Sequence, residues 1–371
     1  MPYIHEQPNW PDFTWQIDKL AGLLAEIRHQ QGLLLGRMSA LGRPMRAEAG
    51  LETLTRELVK SSAIEGETID EAEVRSSLAR RLGLELGGLK PVGRAVEGLV
   101  EMMLDATKRY AEPLTQERLF GWQAALFPTG YSGSRKITVA KWRGLEAEPM
   151  RVVSGPLGQE KTHFQAPAAG RLNAEMEKFL AWFNRPPNLD PVLKAGLAHF
   201  WFVTIHPFED GNGRIARAIA DCALARADNS PDRFYSMSAS IERERSAYYD
   251  ILENSQRGGL DITPWLEWFL GCLGRAIDGA EETIAAVLWK AGIWQEANQH
   301  PLNERQRLVL TRLLDGFVGK LTSGKYAKLS KCSSDTAWRD LRELMEYGLL
   351  VRGEEGGRST SYQLRYKEKL P

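Results

Sequence analysis

This sequence lacks several features that would indicate an extracellular or membrane protein. Its three cysteines, Cys222, Cys272 and Cys332, are too few and too widely spaced for a disulfide framework. Lys+Arg and Asp+Glu are balanced at 48 each, so no overall charge favours a nucleic acid or a membrane as partner. No apolar run is long enough to span a bilayer, and the N-terminus has no basic-then-apolar signal pattern. We expect a cytoplasmic protein with no membrane partner.

The length of 371 residues predicts two or three domains, and hydrophobic periodicity predicts a mostly α fold. Helices are expected at about 46–66, 70–80, 91–109, 168–184, 190–205, 212–227, 240–256, 261–275 and 279–299. Between them, the glycine-rich residues 129–165 predict a loop and a β-hairpin.

The segment from His206 to Arg217 reads HPFEDGNGRIAR and is the richest in chemistry. A glycine-rich turn at the start of a helix exposes backbone N–H groups and the positive end of the helix dipole, which together bind phosphate. Arg214 and Arg217 are three residues apart, so they share a helix face and can both contact phosphate oxygens. The segment therefore predicts a polyphosphate site beside a candidate base, His206.

This segment resembles the motif H-x-F-x-[D/E]-G-N-G-R-x-x-R of Fic domains, which are AMP transferases. The fixed positions are filled by His206, Phe208, Asp210, Gly211, Asn212, Gly213, Arg214 and Arg217. The resemblance covers about residues 110–275. It implies a Fic-type helical bundle with a β-hairpin flap, ATP as the substrate and a protein hydroxyl as the acceptor of AMP.

The resemblance implies that His206 is the general base, since its ordinary pKa suits it to accept a hydroxyl proton. The alternative is a structural core histidine. Asp210 is suited to hold Mg²⁺ between two phosphates, although it could also cap the following helix. A metal site made by His199, His206 and Asp210 is disfavoured, because it would leave the glycines and arginines without a task.

The remaining motif residues are expected to bind the nucleotide. Gly211 and Gly213 let the backbone approach the phosphates, Asn212 adds an amide donor, and Arg214 and Arg217 neutralise the β- and γ-phosphates. Turn chemistry and a surface helix face are the alternatives. A related branch that transfers phosphate has lysine at the position of Gly213, so the resemblance favours AMP transfer.

Two further sets of residues resemble family features more weakly. Val152, Val153, Ser154 and Gly155 lie where the family has its flap, which pairs with an extended target segment by strand addition. Tyr248 and Tyr249 resemble the tyrosine pair of the base pocket, and Gln256 lies near another nucleotide-contacting position. A plain hairpin and core aromatic residues are the alternatives.

A second family motif, [S/T]-x-x-x-E-[G/N], is matched from Ser61 to Gly66. It implies an inhibitory helix, over about 46–66, whose Glu65 pairs with Arg217 and blocks the γ-phosphate, while Ser61 helps the helix to dock. The alternative is a solvated glutamate at a helix end. In some family members the corresponding glutamate orients a water for the reverse reaction, removal of AMP, and the sequence leaves that role open.

The C-terminal residues 303–371 resemble a winged helix-turn-helix, with the second helix of the pair over about 333–347. From Lys320 onward there are 11 basic and 7 acidic residues. The second helix, however, holds Asp335, Asp340, Glu343 and Glu346, a poor match to DNA phosphates. We therefore favour protein docking or a homodimer over DNA binding.

These observations divide the chain into four parts: an N-terminal helical region at 1–110, a catalytic domain at 111–278, a helical linker at 279–302 and the winged-helix-like unit at 303–371. The leading interpretation is a self-inhibited protein adenylyltransferase that uses Mg²⁺ and can also modify itself. The alternative is a DNA-binding regulator whose Fic domain senses a nucleotide.

Overall fold

The computed structural model describes residues 2–84, 89–144, 150–154, 161–186, 188–314, 317, 319–353 and 360–365. Contacts divide the chain into two compact units: Met1–Leu84 with Leu89–Glu281, and a second unit that contains Glu282–Pro371. Both units are mostly helical, as the periodicity predicted.

The first unit consists of helices and two short hairpins. Its helices are α1 (Ile17–Ala40), α2 (Arg43–Ile64), α3 (Glu71–Arg81), α4 (Arg94–Lys108), α5 (Gln116–Leu126), α6 (Leu172–Asn184), α7 (Pro191–Ile205), α8 (Asn212–Asp228), α9 (Met237–Arg243) and α10 (Arg245–Gln256), and α11 (Thr263–Ala297) begins in it. One antiparallel hairpin pairs β1 (Tyr131–Ser132) with β2 (Arg135–Lys136); the other pairs β3 (Arg151–Ser154) with β4 (Lys161–Gln165).

Helices α7 and α8 form the centre of this unit. Every residue of α7 from Val192 to Ile205 is buried, as expected for a helix that is apolar on all sides. Helix α8 is buried from Arg214 to Ala225 and packs along α7. The loop between them, residues 206–211, is thereby fixed at both ends by the core.

Helix α2 is fixed by a buried carboxylate. Glu57 is 3% exposed and accepts hydrogen bonds from the Ser236 hydroxyl at 2.6 Å and the Ser238 N–H at 2.9 Å, at the N-terminus of α9. A carboxylate is stabilised at a helix N-terminus by the orphan N–H groups and the dipole. This contact sets the position of α2 relative to the helices that follow α8.

Three helix predictions need correction. The helix expected at 240–256 is two helices, because Glu244 adopts φ −116° and ψ 32° between α9 and α10. The helices expected at 261–275 and 279–299 are one, α11, because the apolar pattern continues through Gly279 without a proline. The second helix begins at Arg43, earlier than residue 46.

The second unit contains α12 (Glu304–Leu314), α13 (Ser323–Ser330), α14 (Ser334–Glu346) and an antiparallel pair of β5 (Leu350–Arg352) with β6 (Tyr362–Leu364). Its core includes Val309, Tyr326, Leu341 and Leu350. The elements follow one another in the predicted order. In the part of the chain that the structure describes, no helix is long and apolar enough to cross a membrane.

Candidate active site

The candidate base lies at a strained backbone position. His206 ends α7 in the left-handed region, at φ 52° and ψ 58°, which costs about 1–2 kcal/mol for a residue other than glycine. Its carbonyl accepts from Arg143 Nε at 2.8 Å, and the neighbouring Pro207 carbonyl accepts from the Arg143 N–H at 2.9 Å. Arg143 also donates to the Pro167 carbonyl at 2.5 Å, just beyond β4. This buried arginine therefore holds the base in its strained conformation.

The imidazole of His206 has a defined role for each nitrogen. Nδ1 lies 3.1 Å from the Val203 carbonyl, which can only accept, so we assign the hydrogen to Nδ1 and the lone pair to Nε2. Burial, aided by the Arg143 cation and opposed by the hydrogen bond to Val203, lowers the pKa of His206 to about 4. The ring is neutral at pH 7, with Nε2 available as a base.

Asp210 keeps its carboxylate outside the helix that follows. Its Oδ1 accepts from the Gly211 N–H at 2.6 Å, and its Oδ2 accepts from the Ser132 hydroxyl. Helix α8 has no side-chain cap, so the alternative role of Asp210 as a helix cap is not what the structure has. Among the described residues, no group of three His, Cys, Asp or Glu side chains could hold a metal. Asp210 would be one protein ligand, with lone pairs still free on both oxygens.

The loop is closed by Asn212 and Gly211. The Asn212 amide accepts from the Phe208 N–H at 3.0 Å and donates to the Phe208 carbonyl at 2.9 Å. These two bonds close the turn, and the second hydrogen of the amide nitrogen is not used by them. Gly211 has φ 87°, and a Cβ there would lie 2.9 Å from the Phe127 ring. Only glycine fits this position.

The first two arginines of α8, Arg214 and Arg217, are buried, and each is paired with a carboxylate. Arg217 Nη2 donates to Glu65 Oε1 at 2.8 Å and to the Ser61 carbonyl at 2.9 Å, while Nε donates to the Ser61 hydroxyl at 2.9 Å. Arg214 Nη1 donates to Glu67 Oε2 at 2.7 Å. Within the described residues, Arg217 Nη1 and Arg214 Nε have no partner. Burial lowers the pKa of Arg217, but the Glu65 carboxylate outweighs it and keeps that pKa above its ordinary value.

The end of α2 carries Glu65 to the start of α8. Helix α2 ends at Ile64, and Gly66 at φ 83° turns the chain. The Glu65 carboxylate lies directly over Gly213: a Cβ at residue 213 would be 2.2 Å from Glu65 Oε1. The structure thus brings together Ser61, Glu65 and Arg217, as the second motif predicted.

Of the residues that resemble the base pocket, Tyr248 and Tyr249 lie together, with ring centres 5.2 Å apart. Tyr248 is 1% exposed, and its hydroxyl is 2.9 Å from Nε2 of the buried His199. Tyr249 is 39% exposed and donates to the Ile64 carbonyl at 3.2 Å, beside Glu65. Gln256 donates to the Thr204 hydroxyl at 3.2 Å. Burial raises the pKa of both tyrosines and the nearby Arg217 cation opposes the rise, so both lie beside the arginine site.

The candidate flap, β3–β4, has one edge already occupied. Arg257 donates to the carbonyls of Thr162 and His163 at 2.9 and 3.0 Å, and His5 Nε2 lies 2.7 Å from the Gln165 carbonyl. These contacts tie β4 to α10 and to the N-terminal segment. On β3, Val152 is half-buried and Val153 is 47% exposed; Ser154 ends the strand, and Gly155 lies outside the described residues. An added strand would therefore pair along β3.

Sequence reasoning missed four residues of this site: Ser132, Arg143, Arg257 and Glu67. The first three lie far along the chain from the residues they contact and belong to no spaced pattern. Glu67 is adjacent to the inhibitory motif, and its negative charge two residues after Glu65 was the available signal.

Comparison with known families identifies two segments of the chain. Residues 113–224 match the model of the Fic/DOC family. Residues 3–84 match a model described as a domain of unknown function (DUF4172), and this segment contains α2 with Glu65.

Curated relatives named protein adenylyltransferase Fic match more than half of this chain. The protein from Culex quinquefasciatus is 27% identical over 243 residues, which cover 62% of this chain and 43% of the relative. The protein from Drosophila mojavensis is 27% identical over 237 residues, which cover 61% and 41%. This chain thus spans about two fifths of the length of the curated relatives it matches.

Two solved structures have a similar fold. A Fic family protein from Desulfovibrio desulfuricans matches with a TM-score of 0.51 and 20% identity, over 94% of this chain and 97% of its own. A Fic domain containing signaling protein from Bacteroides thetaiotaomicron matches with a TM-score of 0.51 and 21% identity, over 71% and 97%. The similarity to the Fic/DOC family thus covers residues 113–224, which include the motif between His206 and Arg217.

Proposed function

We propose that this chain transfers AMP from ATP to a Ser, Thr or Tyr hydroxyl of a target protein, and that Glu65 restrains the transfer. The observation that carries the proposal is the arrangement at the α7–α8 junction. A neutral His206 with a free Nε2 lies at one end of the loop, and the N-terminus of α8 with its two buried arginines lies at the other. A base, backbone N–H donors and fixed cations are what phosphoryl transfer requires.

The proposed reaction is an in-line displacement at the α-phosphorus of ATP. The target oxygen forms a bond to phosphorus, the bond from phosphorus to the bridging oxygen of the β-phosphate breaks, and pyrophosphate leaves. His206 Nε2 takes the hydroxyl proton while Nδ1–H stays on the Val203 carbonyl. The first N–H groups of α8 face the charge that develops on the α-phosphate oxygens, and Arg214 with Arg217 neutralises the leaving pyrophosphate.

The protein ligand of Mg²⁺ in this proposal is Asp210. Bound between this carboxylate and the nucleotide, Mg²⁺ would offset phosphate charge. Ser132 and the Gly211 N–H hold the two oxygens of Asp210 in orientation, which supports a ligand role, since ligating carboxylates are themselves hydrogen-bonded.

Glu65 acts as the restraint because it uses the cation that the γ-phosphate needs. Arg217 is 2% exposed and Glu65 Oε1 is 2.8 Å from its Nη2, so a phosphate that binds Nη2 has to displace the carboxylate. The same carboxylate lies over Gly213, on the path of the phosphates along the first turn of α8. Movement of the end of α2 would open both positions together.

The experiment that tests the transfer compares two forms of labelled ATP. The chain is incubated with a cell lysate and with ATP labelled either at the α- or at the γ-phosphorus. AMP transfer labels protein from α-labelled ATP only, whereas phosphate transfer labels it from γ-labelled ATP only. Protein labelled from neither form, even by a variant without Glu65, would remove the proposal and leave a nucleotide-sensing role.

The flap supports a prediction about the protein substrate. We expect Arg257→Ala to raise the KM for a protein target by about tenfold, because β4 loses two carbonyl contacts and the target strand on β3 loses its rigid base. The affinity for ATP should stay unchanged. Arg275→Ala is the matched control, since Arg275 is similarly exposed and pairs with Glu244 away from the flap. An unchanged KM for the target would contradict this role of Arg257.

The second unit has its own surface, on α14. Asp340 is one of the four acidic residues that were expected to oppose DNA binding. It is buried and pairs with Arg305 at 2.8 Å, so it does not face a partner. The exposed charges of α14 are still two basic and three acidic. Trp338 is 50% exposed among them, and tryptophan is a frequent anchor of protein interfaces. We propose that this unit docks a protein, with a homodimer as one form of docking.

The DNA-binding alternative has a direct test. We expect the full chain to bind fluorescent duplex DNA no more tightly than about 10⁻⁴–10⁻⁶ M near physiological salt, measured by anisotropy, because α14 is net acidic. The same titration with Arg339→Ala should give an unchanged curve. Submicromolar binding that weakens steeply with salt and with loss of Arg339 would make the DNA-binding regulator the better interpretation.

A further inference from the structure

Two acidic residues bracket Gly66, and each pairs with a different arginine of α8. Glu65 lies 2.8 Å from Arg217 and Glu67 lies 2.7 Å from Arg214. The inhibitory motif ends at Gly66, so Glu67 is not part of it. Both guanidinium groups that are expected to meet phosphates are thus covered by carboxylates.

The turn at Gly66 fixes both carboxylates on one side. Gly66 has φ 83°, its N–H donates to the Ala63 carbonyl at 3.0 Å, and the Glu67 N–H donates back to the Ser62 carbonyl at 3.0 Å. This is a C-terminal capping turn, in which a left-handed glycine reverses the chain over the last helical turn. Residues 65 and 67 therefore move with the end of α2 as a single body.

Arg214 is built to accept a further anion. It is buried, its guanidinium lies 5.2 Å from the Phe127 ring centre, and its Nε has no partner within the described residues. A buried N–H without an acceptor is costly, and a ligand oxygen would satisfy it. Its partner Glu67 is 49% exposed, so this carboxylate can leave Arg214 and move into solvent.

We propose that Glu67 is a second competitor for the terminal phosphates of a nucleoside triphosphate, acting on Arg214 as Glu65 acts on Arg217. The proposal rests on the proposed function, since it places the terminal phosphates at these arginines. ATP has to displace two carboxylates, whereas a nucleotide with a single phosphate displaces neither. Glu67 thereby helps to set how strongly the site discriminates among nucleotides by their number of phosphates.

The competing interpretation is a surface ion pair that only holds α2 against α8. The two differ in ligand dependence. Competition weakens the binding of ATP specifically, while a purely structural pair changes stability and leaves the ranking of nucleotides unchanged.

The test is calorimetric titration of the full chain with ATP, ADP and AMP in the presence of Mg²⁺. We expect Glu67→Gln to tighten ATP binding by roughly fivefold, as an ion pair with one exposed partner contributes modestly. ADP should gain less and AMP should be unchanged. In a Glu65→Gly background the gain for ATP should persist, because the two carboxylates act on different arginines. Glu71→Gln, a nearby exposed carboxylate at the start of α3, is the matched control and should change nothing.

Two outcomes overturn the proposal: ATP affinity unchanged by Glu67→Gln and by Glu67→Ala, or equal gains for ATP and AMP. Both readouts are binding measurements, so they stay informative if no protein is ever labelled. Labelling without any Glu67 effect would leave the transferase standing and remove only the second competitor. A selective gain for ATP without any labelling would support the second competitor and remove the proposed transferase.

Discussion

We expect replacement of Glu65 by glycine to raise the initial rate of AMP transfer by roughly 10- to 100-fold over the unaltered chain. A hydrogen bond to a charged group contributes about 1.5–3 kcal/mol, and each 1.4 kcal/mol is a factor of ten. The gain arises because Arg217 Nη2 and the space over Gly213 become open to the phosphates. The measurement is incorporation of label from α-labelled ATP into target protein or into the chain itself.

A matched control separates the lost carboxylate from a loosened helix. Glycine at residue 65 also adds flexibility at the end of α2, and this effect alone is worth about 0.5–1 kcal/mol inside a helix. Ala63→Gly introduces the same flexibility two residues earlier while Glu65 stays on Arg217. We expect Ala63→Gly to label at nearly the unaltered rate. Equal labelling by the unaltered chain and by Glu65→Gly would remove the restraint assigned to Glu65.

The second large effect is a loss, on replacement of the base. In the Glu65→Gly background, His206→Asn should lower the transfer rate by about 10²–10⁴-fold while ATP affinity stays unchanged. Asparagine is the informative substitution because it tolerates the left-handed backbone at residue 206 and can still donate to the Val203 carbonyl. His206→Ala should lose the same activity and also stability, since alanine disfavours that backbone. Transfer by His206→Asn at the parent rate would exclude the base role.

The pH dependence of the same reaction reports on His206. Its pKa is lowered to about 4, so the imidazole is already neutral across the neutral range. Nε2 accepts a proton only in this neutral form, so the rate should be flat above about pH 6 and should fall as the pH approaches 4. Loss of Glu65, whose charge favours the protonated ring, should move this acid limb lower still. An acid limb centred near pH 6.5 would indicate a more solvated ring.

The sequence predicted the parts of this site that are close together in the chain. The loop at 206–211 and the arginines of α8 follow from one twelve-residue pattern, because a turn followed by a helix fixes their geometry locally. The contact between Glu65 and Arg217 spans 152 positions. It was predicted only because the segment from Ser61 to Gly66 resembles a second motif of the family. Periodicity also gave most helices, since their buried faces repeat every three or four residues.

What the sequence did not indicate depends on single residues that reach across the fold. Arg143 and Arg257 bind backbone carbonyls, which every residue has, so no pairing of side-chain types marks them. The Asn212 amide bonds to the backbone of Phe208, which the spacing of the motif alone does not indicate. The break at Glu244 leaves no proline or glycine as a signal, and we have no physical account of it from sequence.

The position of Glu65 over Gly213 couples two sites that belong to different segments of the chain. Any side chain at residue 213 would overlap the Glu65 carboxylate, whose oxygen lies 2.2 Å from the place of a Cβ. Under the proposed function, a side chain at this position would have to displace the carboxylate that restrains the site. If Glu65 restrains the reaction as proposed, a substitution at residue 213 would alter the phosphate site and displace the restraint in the same step.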